Sequence, residues 1–166
     1  MRLPRWAPWV EDVLKGSPAF SSVQSFADAG ITDPQYGHVI TLRTGAQIML
    51  QWARTSPPAG DLGEEAIVTG EPPARMTLPE LPTTGRTPLR LVEEHLAALI
   101  ANAAAEGNPE IRAVERKSTR EDPGPRPCCV IVRMHSGADV FGTFRKTAPA
   151  GANLSSGSDF QQREEV

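Results

Sequence analysis

Two stretches of the chain follow one pattern, and that pattern limits the fold more than any other feature. VITLRTGAQIMLQWARTSP at 39–57 aligns with IVRMHSGADVFGTFRKTAP at 131–149, an offset of 92 residues. Gly45 matches Gly137, Ala46 matches Ala138, Thr55 matches Thr147 and Pro57 matches Pro149. These four are the only identities in nineteen positions, so the argument rests on the spacing of the apolar residues. In the first stretch Ile40 and Leu42 alternate with Thr41 and Arg43, then Ile48, Leu50 and Trp52 share a face while Gln47 and Gln51 fall on the other. In the second, Val130, Val132 and Met134 alternate with Ile131 and Arg133, and Val140 and Phe144 follow at even spacing. A period of two is that of a strand with one buried face.

Each stretch therefore reads as a β-hairpin closed by a glycine-containing loop. Facing residues must share a face of the sheet, which requires an odd-numbered loop of three or five residues. The expected pairs are Leu42 with Ile48 and Ile40 with Leu50, around Thr44-Gly45-Ala46, and Met134 with Val140 around Ser136-Gly137-Ala138. Upstream, WVEDVLK (9–15) and the longer 87–107 read as helices, and FSSVQSF (20–26) and IRAVERK (111–117) as strands. Thr87 is placed to cap the second helix, Leu89, Val92, Leu96 and Ile100 form its apolar stripe, and Gly107 ends it. On that helix Glu93 and Glu94 are expected to face outward.

The fold class that follows is α+β: two α-β-β-β repeats forming antiparallel sheet, with helices packed on one face. The first unit spans 1–55 and the second 87–147. Between them, 56–86 is a Pro/Gly-rich connector that reads either as a flexible linker or, through Ile67, Val68, Met76, Leu78 and Leu81, as a strap across the body. The tail 148–166, with Phe160 as its only aromatic residue, is expected to be disordered.

Charge narrows the function classes. The net charge of −3 argues against a general nucleic-acid binder, which needs a basic face to displace counterions. The excess acid sits in the connector, with five acidic and two basic side chains, and in the tail, with three and one. No apolar run approaches the roughly 20 residues that span a bilayer. Pro4, Pro8, Glu11 and Asp12 interrupt what would be a leader's apolar stretch. The expected location is the cytoplasm, or a virion if the chain is phage-derived. Cys128 and Cys129 are adjacent and suit neither a disulfide framework nor a metal site. No metal or cofactor is expected.

Three readings of function remain. The first is a non-enzymatic binding or structural protein that meets a protein partner, or itself, through the second face of the sheet. Met49, Gln51, Ile131, Arg133, Phe141 and Thr143 are its candidate residues, too apolar a set for plain solvent surface. The second is nucleic-acid binding through Arg112, Arg116, Lys117, Arg133, Arg145 and Lys146, diluted by Glu110, Glu115, Glu121 and Asp122. The third is a small hydrolase or transferase using His135 and Asp139, which the expected pairing sets opposite each other at a hairpin end. Of the other histidines, His95 reads as a boundary residue and His38 as partly exposed. Trp6 and Trp9 read as covering the edge of the core.

The Ala-, Arg- and Pro-rich style of the whole chain is similar to that of uncharacterised proteins of high-GC actinobacteria and their phages or integrative elements. That resemblance implies a mobile-element setting and carries no functional motif.

Overall fold

A computed structural model describes residues 1–152, 154 and 162–166. The elements run α1 (Leu3–Lys15), β1 (Phe20–Ser25), β2 (Gly37–Leu42), β3 (Gln47–Arg54), α2 (Leu89–Gly107), β4 (Ile111–Arg116), β5 (Cys129–Met134) and β6 (Asp139–Ala148). A single 3₁₀ turn, Lys117–Thr119, follows β4. The six strands form one antiparallel sheet in the order β1-β2-β3-β6-β5-β4. The two hairpins thus meet along β3 and β6 at the centre, and β1 and β4 are the outer strands. The fold is α+β, as the alternating periods imply. Among the described residues, no helix is long and apolar enough to cross a membrane.

The hairpin register differs from the expected one by two residues. Ile40 faces Ile48, not Leu50, and Val132 rather than Met134 faces Val140. The cause lies in the loops. Leu42 N–H donates to Ala46 C=O and Gly45 N–H to Leu42 C=O; Met134, Ala138 and Gly137 repeat both bonds. Gly45 at φ +86° and Gly137 at +83° take the left-handed position that closes a three-residue loop into a bulge. An even shift leaves every side chain on its face, so the hydrophobic pattern could not distinguish the two registers. The outer strands also correspond. Phe20 faces Leu42 and Ile111 faces Met134; each strand then bulges before Val23 meets Ile40 and Val114 meets Val132.

Both helices pack on the face formed by Ile40, Ile48, Leu50, Trp52, Val130, Val132, Val140 and Phe144. α1 begins at Leu3, six residues before the expected start, because Pro4 fits its first turn and Trp6 needs burial. Trp6 is fully buried, 5.2 Å from Trp9 and 5.3 Å edge-on from Trp52. Thr87 does not cap α2: its side chain makes no capping bond, while its backbone exchanges two hydrogen bonds with Val166. Glu93 faces inward, not outward. It is fully buried and accepts bonds from Cys129 N–H (2.7 Å), Ser118 N–H (3.3 Å) and the Ser118 hydroxyl, which tie the β4–β5 connection to the helix.

Segment 56–86 has no regular secondary structure, yet it is fixed at intervals to the body. Its first anchors are ionic. Asp61 pairs with Arg54 and Arg2, and Glu65 takes the Arg2 backbone N–H and the Arg5 guanidinium, 3.2 Å away. Gly70 N–H then donates to Pro109 C=O at 3.0 Å, and His135 Nε2 lies 2.9 Å from Glu71 C=O. A Cβ on Gly70 would stand 2.4 Å from the His135 ring, so only glycine allows that approach. Farther on, the Asn102 amide bonds both N–H and C=O of Met76, at 2.8 and 2.9 Å, and His95 Nδ1 meets Pro79 C=O at 2.7 Å. Of the tail, residues 153 and 155–161, Phe160 included, lie outside the described residues. Gln162–Val166 dock beside α2, where Gln162 bonds Cys128 and Glu165 bridges to Pro88.

Candidate functional site

The sheet's outer face, the one turned away from the helices, collects all six residues of the first functional reading. Cross-strand register places Gln51, Thr143 and Cys129 in one row and Ala53, Phe141 and Ile131 in the next. Met49 faces Lys146, and Arg133 faces Asp139. The row is less open than its composition suggests. Met49 is 8% exposed and packs with Phe26 and Val39, while Ile31 and Leu154 lie against them. Ile131 is 1% exposed. Gln51, Arg133, Phe141 and Thr143 are half-buried.

The strap behaves in the opposite way. Among the described residues, the exposed large hydrophobic side chains are Leu62, Ile67, Val68 and Leu78, and all four belong to it. Leu62 is fully exposed and Ile67 is 64% exposed. Met76 and Leu81 are half-buried, and Leu81 packs on the core. The strap therefore separates into two parts. Residues 76–81 lie against α2 through Asn102 and His95, two helical turns apart on one face. Residues 62–64 and 66–69 project on either side of the Glu65 anchor, between Asp61 and Gly70.

The basic residues do not form one surface. Arg116 pairs with Glu94 of α2 at 2.6 Å, on the helix side. On the outer face Arg133 is held between Glu115, at 2.9 Å, and Asp139. Lys117 donates to Arg126 C=O, and Arg145 reaches Gln51 at 3.5 Å. Lys146 faces Met49 on the outer face, and Arg112 is exposed at the β4 bulge.

His135 and Asp139 do not come together. The two-residue change of register moves His135 into the loop, where it holds the strap, and sets Asp139 against Arg133. The other two histidines are buried, contrary to both expectations. Trp52 Nε1–H donates to His38 Nδ1 at 2.9 Å, which leaves the proton on Nε2 facing Glu11 at 3.4 Å. Burial pushes His38 below the ordinary imidazole value, against the pull of Glu11. His95 Nδ1–H must donate to Pro79 C=O, so Nε2 accepts from the Ser17 hydroxyl at 3.0 Å. Burial lowers its pKa too. A neutral imidazole satisfied on both sides acts here as a bracket joining α1's end, α2 and the strap. Burial pushes the Cys128 thiol up to about 12 and raises Cys129 as well, so neither offers a thiolate near neutral pH.

The polar positions of α2 were the signal for the strap that sequence reasoning missed. His95, Asn102 and Glu106 fall near one line of the helix, and each touches the strap, Glu106 through Arg75 at 3.1 Å. Comparison with protein-family models, with curated proteins and with solved structures returns no match for this chain.

Proposed function

We propose that this is a non-enzymatic binding or structural protein that works through protein–protein contacts, with strap residues 62–69 as its main contact element. One observation carries the reading. A segment that served only to cover the core would turn its apolar residues inward, yet Leu62, Ile67 and Val68 point to solvent between firm anchors. Fully covering a Leu or Ile side chain yields about 1.5–3 kcal/mol, so Leu62 and Ile67 together are a substantial latent contact energy, with Val68, 39% exposed, adding less. The outer sheet face, through Phe141, Thr143, Gln51 and Arg133, is a second and smaller contact area.

The same reading takes the two halves as α-β-β-β repeats. The matched loops, the matched outer-strand bulges and the antiparallel meeting of β3 with β6 support it. It also keeps the mobile-element setting, which rests on composition.

The test is site-specific photo-crosslinking in cells. A photoreactive amino acid replacing Ile67 should give discrete crosslinked protein products, while the same group replacing the exposed Glu106 on α2 should give none. The absence of products from position 67 would refute the reading.

A further inference from the structure

The chain carries both halves of one contact. Ala66-Ile67-Val68-Thr69 is exposed throughout, and its backbone makes no hydrogen bond to the described residues. Ile, Val and Thr are strong strand formers. The segment is held at both ends: Glu65 by Arg2 and Arg5, Gly70 by Pro109, and Glu71 by His135. Such anchoring removes much of the ordering cost that a free loop meets on binding. It has the attributes of a strand without a sheet.

β4 has the converse property. Among the described residues, it is an outer strand with no strand on its far side. Open edges are ready templates for another strand, and bulges and charges limit them. Here the bulge lies between Ile111 and Ala113, which leaves Ala113–Arg116 as four regularly paired residues, the length of the strap segment. Charge favours the same match. Glu64 and Glu71 flank the segment, exposed and without an ion pair among the described residues. On β4, Arg116 is taken by Glu94, while Arg112 is exposed and has no ion pair among the described residues. β1, the other outer strand, offers Ser21, Ser22 and Gln24 and no cation.

We infer that Ala66–Thr69 of one copy adds as a strand to the outer edge of β4 of a second copy, with Ile67 in the contact and Glu64 or Glu71 against Arg112. This rests on the strap being the contact element. Because Gly70 bonds Pro109, just ahead of β4, donor segment and recipient edge are neighbours in each copy. Two copies related by a twofold axis exchange both contacts and close as a dimer.

Sedimentation equilibrium of the purified full chain tests it. The wild type should be a reversible dimer. Ile67→Asp should sediment as a monomer with an unchanged circular dichroism spectrum, since the Ile67 side chain is 64% exposed. Arg112→Glu should weaken the dimer roughly tenfold, and adding Glu64→Arg and Glu71→Arg should recover most of that loss. A wild type that stays monomeric, or a dimer indifferent to the strap and Arg112 variants, would overturn the inference. If the wild type is monomeric while position 67 crosslinks a different protein in cells, the second copy is refuted and the strap contact survives. No crosslink at all refutes both.

Discussion

The strap and the outer face of the sheet hold similar apolar side chains and treat them oppositely. Met49 and Ile131 stand on a regular sheet, and neighbours cover them to 8% and 1% exposure. Ile67 and Leu62 sit on irregular backbone fixed by ion pairs and hydrogen bonds, and they remain in water. Anchoring and burial are therefore separate properties in this molecule. Polar bonds position the strap; apolar packing positions the sheet. A face that looks sticky in the sequence can be satisfied within its own chain, while a loop can be rigid and still leave its hydrophobic residues uncovered.

The largest expected effect sharpens that contrast. Ile131→Ala should cost about 2–5 kcal/mol of stability in urea unfolding, as for a filled core site. Ile131 behaving like a surface residue would break the comparison from the sheet side. Next comes Asn102→Ala, which removes both bonds to Met76 and should cost about 1–3 kcal/mol. Limited proteolysis should then cut near 72–80 in the variant well before the wild type. Equal cutting rates would mean that the strap is not held by α2.

A smaller effect is expected from pH. His38 and His95 have folded-state pKa values below their ordinary 6.5, so the unfolded chain takes up protons first as pH falls. Their contribution is fully present above pH 6.5 and is lost as pH drops from there toward the folded values, where it levels off. His95→Gln, measured by unfolding at pH 7.5 and 5.5, should flatten part of that slope. An unchanged slope would remove His95 from the account. Smallest of all, Ile67→Ala should move the stability of the dilute, monomeric chain by less than about 0.5 kcal/mol, because Ile67 is 64% exposed and loses little within its own chain. A large destabilisation would show that Ile67 packs on its own molecule.

The sequence exposed some of this directly and concealed the rest for physical reasons. The faces of the hairpins were legible, since Ile40, Ile48, Leu50 and Trp52 keep a period of two in either register. The register itself was not, because a two-residue shift preserves every face and the loop geometry at Gly45 and Gly137 decides it. The inward turn of Glu93 was hidden because its donors, Ser118 and Cys129, come from a connection 25 and 36 residues away. For α1, the stretch 9–15 showed only the second part of the helix; Pro4 suits its first turn and Trp6 required cover, so it starts at Leu3. The scattered apolar residues of 56–86 allowed a strap as well as a flexible linker, and of the five only Met76 and Leu81 are half-buried while Ile67, Val68 and Leu78 are exposed. Which of them would face solvent depended on long-range anchors such as Arg5 to Glu65 and His135 to Glu71, which local patterns do not encode.

Amide hydrogen exchange of the purified chain at two concentrations probes the strap as a contact element most directly. In dilute solution the amides of Ala66–Thr69 should exchange at the rate of open chain, while β6 is protected. On concentration the strap amides should slow and β6 should not change. Strap amides already protected when dilute, or equally fast when concentrated, would contradict the account.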